Sequence, residues 1–159
     1  MSENGPPPGK KWHTREDSGI RLDREGRWWH DDEPVEHPRI IEAFNQGLQP
    51  DDQGRFILRF GNDWCVVQVE DAAYRVTAVD LENNCITLRL SDRSSEPLDP
   101  AALSLDSDGV LHCKVKQGRA WARFSRDAQF QLGEALEEND EGIALRTADG
   151  ARLITARKR

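Results

Sequence analysis

The residues best suited to chemistry fall into three sets. Glu70 and Asp71 are adjacent carboxylates that follow an apolar stretch. Such groups can accept hydrogen bonds from a ligand's N–H or hydroxyl groups, or hold a cation. Neighbours on a strand point to opposite faces, so only one of the two can face a given pocket. Pairing with Arg59 or Arg75 is their plainer, structural role. The second set is His30, Asp31, Asp32, Glu33, Glu36 and His37. Two imidazoles and four carboxylates in eight residues could gather a divalent ion, but the spacing matches no recognised ligand pattern. The stretch reads as an acidic solvated loop with no metal, and His13 could join it only through an N-terminal arm. The third set joins Trp28, Trp29, Trp64 and Trp121 to Arg27, Arg55 and Arg59. Aromatics interleaved with arginine stack bases and hold phosphates. Tryptophans at strand positions more often fill a core. Adding Tyr74, the candidate ligand-binding residues are Trp28, Arg59, Trp64, Glu70, Asp71 and Tyr74.

Catalysis finds little support. Ser94, Ser95, Ser104 and Ser125 lie in no nucleophile-elbow motif. His112 and Cys113 are strand neighbours and point apart, so they form no dyad. Glycine-rich phosphate loops are absent, so no nucleotide cofactor is expected. Asp106-Ser107-Asp108-Gly109 begins like a calcium loop, but the remaining ligand positions are missing, and it reads as a hairpin turn.

These residues need elements to position them. Ile20 and Leu22, a turn at Asp23-Arg24-Glu25-Gly26, then Trp28 and Trp29 predict a hairpin. Pro38 suits a first helical position, and Ile40, Ile41, Phe44 and Leu48 make one helical face that Gly47 and Pro50 close. Phe56, Leu58 and Phe60 alternate as a half-buried strand, and residues 64–69 form the next. Strands follow at 74–79 and 85–90. Further on, Leu103 and Leu105 precede an Asp106–Gly109 turn, with strands at 110–115 and 120–124. Ser125 then caps a helix, with Asp127 in its first turn. Its buried face is Ala128, Leu132, Ala135 and Leu136. Ile143 with Leu145, and Leu153 with Ile154, end the chain in strands.

The same order of elements thus occurs twice. Leu22-Asp23 matches Leu105-Asp106, Gly26 matches Gly109, and Phe44 with Leu48 matches Leu132 with Leu136. The turn at residues 51–54 matches that at 139–142, and Leu58-Arg59 matches Leu145-Arg146 after a one-residue gap. The expectation is an α+β protein made by internal duplication, two β-rich units with one main helix each. Residues 1–18 read as a disordered arm, 19–92 as the N-terminal unit, 93–102 as a linker and 103–159 as the C-terminal unit. One copy alone is too small to close a core. Two copies can, and the seam between them is the expected ligand site.

Composition narrows the partners. The net charge of −7 opposes non-specific binding to duplex DNA and to anionic lipid. Cys65, Cys85 and Cys113 are odd in number and widely spaced, so they suggest neither a disulfide framework nor a zinc site. With no apolar leader or membrane-spanning run, the expected location is the reducing cytoplasm. A small molecule, nucleotide-like ones included, and a protein remain open as partners.

Several of these residues also carry a family likeness. Ile20-Arg21-Leu22-Asp23, Gly26-Arg27-Trp28, an Ile-Ile-x-x-Phe helix, Gly54-x-Phe56-x-Leu58 and Val69-Glu70-Asp71-Ala72-Ala73-Tyr74 together resemble the bacterial domain of unknown function 1285 family. The likeness is clear over residues 20–80 and weaker beyond. Ala73 stands where the family usually has Pro, and Ser91-Asp92-Arg93 replaces its usual Thr-Asn-x-x-Asp. The resemblance implies a two-part α+β protein with repeated motifs and a C-terminal part superficially like a pleckstrin-homology fold. It also implies a ligand site, a signalling role and no assigned activity. The function expected is that of a non-catalytic ligand-binding or regulatory protein. The alternatives are a protein-interaction module and an enzyme using Glu70 or Asp71 with a histidine such as His30.

Overall fold

In the computed structural model, which describes residues 13–157, three Asp-x-x-Gly segments close three hairpins by the same hydrogen bonds. Asp23, Asp51 and Asp106 each donate their N–H to the carbonyl four residues on, at 2.9, 2.8 and 3.0 Å. Each also accepts, through Oδ1, the N–H groups two and four residues on. The aspartate thereby satisfies donors that a tight turn would otherwise orphan. The glycines Gly26, Gly54 and Gly109 take φ of 85°, 81° and 79°, a conformation that favours glycine.

The chain divides into two compact units, Met1–Glu70 and Asp71–Arg159. The first contains β1 (Ile20–Leu22), β2 (Trp28–His30), β3 (Glu33–Pro34), α1 (Pro38–Gly47), β4 (Leu48–Pro50), β5 (Phe56–Phe60) and β6 (Asp63–Val69). These strands form one sheet in the order β3-β2-β1-β6-β5-β4, with β1 and β6 parallel and the other pairs antiparallel. Its core is Leu22, Trp28, Leu48, Ile57, Leu58 and Val67. Trp28 donates its indole N–H to Asn45 Oδ1 at 2.8 Å and meets Phe44 edge to face, so α1 is held to the sheet by one anchored aromatic. Pro38 opens α1 as expected, and the Nδ1 of His37 caps it by accepting from the Arg39 N–H.

The second unit contains β7 (Tyr74–Glu82), β8 (Cys85–Leu90), β9 (Ser95–Pro97), β10 (Leu103–Leu105), β11 (Leu111–Val115), β12 (Ala120–Phe124), α2 (Arg126–Leu132), β13 (Leu136–Asn139), β14 (Gly142–Thr147), β15 (Gly150–Leu153) and β16 (Thr155–Ala156). Seven strands form a sheet in the order β16-β10-β11-β12-β7-β8-β9, and β13-β14-β15 form a separate meander. Ser125 Oγ caps α2 by accepting the Ala128 N–H. Two glutamines fasten the helix to the sheet. Gln131 Oε1 accepts the Val79 N–H, beyond the register shift in β7, and Gln129 bridges Gly109 and Leu111.

The architecture is therefore α+β but dominated by strands, with two α-helices among the described residues. Three expectations change in detail. Residues 13–18, assigned to a disordered arm, are fastened: Val66 donates its N–H to Arg15 O at 2.7 Å, and Ser18 donates its hydroxyl to Val66 O. The arm's residues 1–12 lie outside the described residues. The expected linker at 93–102 holds β9 and a 3-10 turn, Pro100–Ala102, because Glu96 pairs with Leu88 on β8. The helical face expected to reach Leu136 stops at Leu132. Gly133 caps α2, and Leu136 pairs with Leu145 as a strand residue.

Candidate functional site

A cleft of about 430 Å³ opens in the second unit. Its lining comes from the turn between β7 and β8, the segment around Leu98 and Pro100, the 3-10 turn that follows α2 and the turn after β14. Asn83 and Asn84 take φ of 50° and 64°, the pattern of a two-residue hairpin turn that asparagine tolerates. Leu81, Ile86 and Leu98 supply apolar lining. Leu98 is held there by its N–H bond to Ile86 O at 2.9 Å. Arg146 donates from its guanidinium to the Glu134 carbonyl, which holds a cation in the same lining as the asparagine amides. This lining of apolar side chains, amides, carboxylates and one guanidinium is more polar than that of most small-molecule sites, and the volume lies in their usual range.

Two polar networks in the same unit are closed. Asp71 accepts from Arg157 Nη1 at 2.8 Å, and its other oxygen lies 3.2 Å from His112 Nε2. Asp106 Oδ2 stands 3.8 Å from His112 Nδ1. The His112 side chain is wholly buried, and those of Asp71, Asp106 and Arg157 are at most 9% exposed. Arg157 also lies over the Trp121 ring, 4.7 Å from its centroid. Burial raises the Asp71 pKa, but the hydrogen bond and charge of Arg157 outweigh it and hold the carboxyl below its usual value. Burial, then the nearby Arg157 charge, pulls His112 below 6.5. The second network centres on Lys116, whose Nζ donates to Asp92 at 2.6 Å and Ser94 at 2.9 Å and lies 5.0 Å from the Tyr74 ring centroid. Burial pushes the Tyr74 phenol well above its ordinary range.

The candidate ligand residues are thus dispersed by role. Trp28 is a core residue. Arg59 and Trp64 are brought together as cross-strand partners on β5 and β6, and Arg15 lies over the Trp64 indole. Glu70 accepts from Arg21 at 2.7 Å. Asp71 and Tyr74 belong to the two closed networks, and the histidine beside Asp71 is His112. Sequence reasoning missed the cleft because its lining comes from four separated segments. The paired asparagines at 83–84 were the only local signal.

The first unit gathers one further set. His13 Nε2 lies 2.7 Å from Asp31 Oδ2, His30 Nε2 lies 3.7 Å from the same oxygen, and the two imidazoles are 4.9 Å apart. Among the described residues this is the one group of three or more His, Cys, Asp or Glu side chains close enough to share a metal ion. His37, placed by the sequence in the same loop, caps α1 instead.

Comparison with known proteins bears on the family and the fold. Residues 7–72 match the model described as "Domain of unknown function (DUF1285), N-terminal domain". The chain is similar in structure to a DUF1285 family protein from Silicibacter pomeroyi DSS-3, with a TM-score of 0.67, 18% identity, and coverage of 98% of this chain and 91% of that one. A DUF1285 family protein from Shewanella baltica OS155 aligns with a TM-score of 0.56 and 16% identity, over 74% of this chain and 91% of that one. At these identities the two bacterial structures establish a shared fold. No curated protein matches the chain in sequence.

Proposed function

We propose that this chain, which carries the N-terminal domain of the DUF1285 family, is a non-catalytic, regulatory protein that binds a small polar metabolite in the cleft of its second unit. The carrying observation is the cleft itself, which brings the apolar Leu81, Ile86 and Leu98 together with the Asn83 and Asn84 amides and the Arg146 guanidinium. Amides offer paired donors and acceptors, so they suit ligands with a planar hydrogen-bonding edge, nucleobases included. The closed state of the Asp71 network favours binding over catalysis, because a reacting group needs access to substrate. Three free cysteines support a reducing, cytoplasmic setting.

The reading includes an internal duplication, supported by equivalent contacts. In one copy the residue after β6, Glu70, donates its N–H to Leu22 O; in the other Arg157, after β16, donates to Leu105 O. Leu48 pairs with Leu58 as Leu136 pairs with Leu145. The copies then run over residues 20–70 and 103–157, with β7, β8 and β9 between them. The seven-stranded sheet with one helix on it supports the pleckstrin-homology likeness of the second unit, although α2 precedes four more strands of that unit.

Thermal shift over nucleotides and common metabolites tests the binding. A ligand at a hundred times its dissociation constant adds about 2.7 kcal/mol. Ala148→Trp, which fills the cleft from its rim, and Arg146→Ala are expected to abolish the shift. A library without hits, or a hit that both variants retain, counts against the site. A protein partner is the second reading, favoured by Phe130, which is 84% exposed on α2. Loss of a co-purifying partner in Phe130→Ser would support it.

A further inference from the structure

We propose that His13, His30 and Asp31 form a binding site for a divalent first-row transition metal, zinc in the first instance, in the first unit. The site is independent of the cleft in the second unit.

Two imidazoles and a carboxylate are ligands of the kind that zinc and its neighbours take, and three protein ligands leave a position open for water or a substrate. One donor atom from each residue lies within 4.8 Å of the other two. Tetrahedral zinc, with ligand bonds near 2.0–2.1 Å, needs donors about 3.3 Å apart. His30 Nε2 and Asp31 Oδ2, at 3.7 Å, are already close to that spacing. His13 Nε2 and Asp31 Oδ2, at 2.7 Å, are held by a hydrogen bond whose proton the metal would replace. With all three donors inside 4.8 Å of one another, movements of at most about 1.5 Å, within reach of side-chain rotation, would complete the set.

The backbone holds these donors together at a cost. Asp31 and Asp32 form the two-residue turn between β2 and β3 with φ of 50° and 66°. Such a turn prefers Asn-Gly or Asp-Gly, so aspartate suits position 31 and the strain falls on Asp32, where glycine is usual. Gly19, at φ 74°, accepts the Asp31 N–H through its carbonyl at 3.0 Å. A Cβ at position 19 would collide with the Asp31 carboxylate and the His13 ring. The missing side chain is what lets both come in against the main chain. His13 reaches the turn because residues 14–18 are fastened to β6 through Arg15 and Ser18. Beside Asp31 lies a hollow of about 190 Å³, bordered also by Ser18, Arg21 and Gln68 but by neither imidazole, with room for water next to the carboxylate.

The test uses the full chain, free of any histidine tag and stripped of metal with a chelator. Zinc chloride is titrated calorimetrically, and cobalt(II) is followed by visible absorption. One zinc per chain is expected, with a cobalt spectrum of nitrogen and oxygen ligands. Affinity should fall at least tenfold in His30→Ala and in Asp31→Asn, and stay unchanged in His37→Ala. Circular dichroism of the metal-free variants checks their fold. If His30→Ala is unfolded, Asp31→Asn and His13→Ala decide. Absence of stoichiometric zinc binding would overturn the proposal. So would affinity preserved in the folded variants, loss of binding in His37→Ala, or a thiolate charge-transfer band in the cobalt spectrum.

Discussion

Asp71 Oδ2 lies 3.2 Å from Nε2 of His112, a contact made inside the second unit between two side chains that water scarcely reaches. The other Asp71 oxygen is occupied by Arg157 at 2.8 Å, so one carboxylate neutralises a buried guanidinium and orients a buried imidazole. Removing it leaves an unpaired cation where solvation is poor. Asp71→Ala is therefore expected to destabilise the protein by about 3–5 kcal/mol, the range for breaking a buried ion pair from one side. Asp71→Asn, which keeps the shape and one acceptor, should lose less. Chemical denaturation measures both, and a loss below about 1 kcal/mol in Asp71→Ala would contradict the assignment.

The same pair sets a pH dependence. His112 in the folded protein lies below its unfolded value of 6.5, chiefly through burial and the charge of Arg157. Between the two values the unfolded chain binds more protons, so stability rises with pH there. The contribution is fully present above 6.5 and is lost as pH falls through the lowered folded value. Asp71, lowered from 3.8, adds a second loss in more acid solution, present above 3.8 and gone below its folded value. The denaturation midpoint should fall steadily below pH 6.5. A His112 imidazole resonance that titrates above 6.5 would reverse the sign and defeat the prediction.

Much of this architecture was legible in the chain. Alternation at Phe56, Leu58 and Phe60, and the Asp-x-x-Gly turns, predicted strands and hairpins because both signals are local. Pro38 and Ser125 marked where the helices start, for the same reason. What escaped depends on tertiary pairing. β9, β13 and β16 are short, and each exists only because a neighbouring strand supplies hydrogen bonds. Leu136 fits a helical face by spacing, yet its pairing with Leu145 wins. His13 and Asp31 are 18 residues apart, and their meeting rests on Gly19 and on the fastening of residues 14–18, which no periodicity reports. Sequence adjacency sets His112 only against Cys113, whereas its partners come from residues 71 and 106.

Trp28 was read from the sequence both as a ligand residue and as core, and the packing gives it a core role. Its side chain is 1% exposed, and its N–H is committed to Asn45. Trp28→Ala should cost about 3–5 kcal/mol, the range for emptying an aromatic core position. Trp28→Phe should fill most of the space but leave Asn45 Oδ1 without this donor, a loss of roughly 1–3 kcal/mol. Urea denaturation ranks the two variants. A Trp28→Phe variant as unstable as Trp28→Ala would mean that volume is not what this residue contributes.

The three cysteines should separate by reactivity. Cys113 is fully buried on β11, and burial pushes its thiol up to about 12, so almost no thiolate forms near neutral pH. Cys85 is exposed where β8 begins, and Cys65 is half-buried on β6. A chromogenic disulfide reagent at pH 8 should label Cys85 first and Cys65 more slowly. Cys113 should react only when the second unit opens, so its labelling rate reports that unit's unfolding rather than thiol chemistry. Denaturant should raise the rate of Cys113 steeply and that of Cys85 hardly at all. Because Cys85 borders the cleft of the second unit, a bound metabolite should also slow Cys85 labelling directly. Ligand that protects Cys113 alone would be stabilising the unit from a different site.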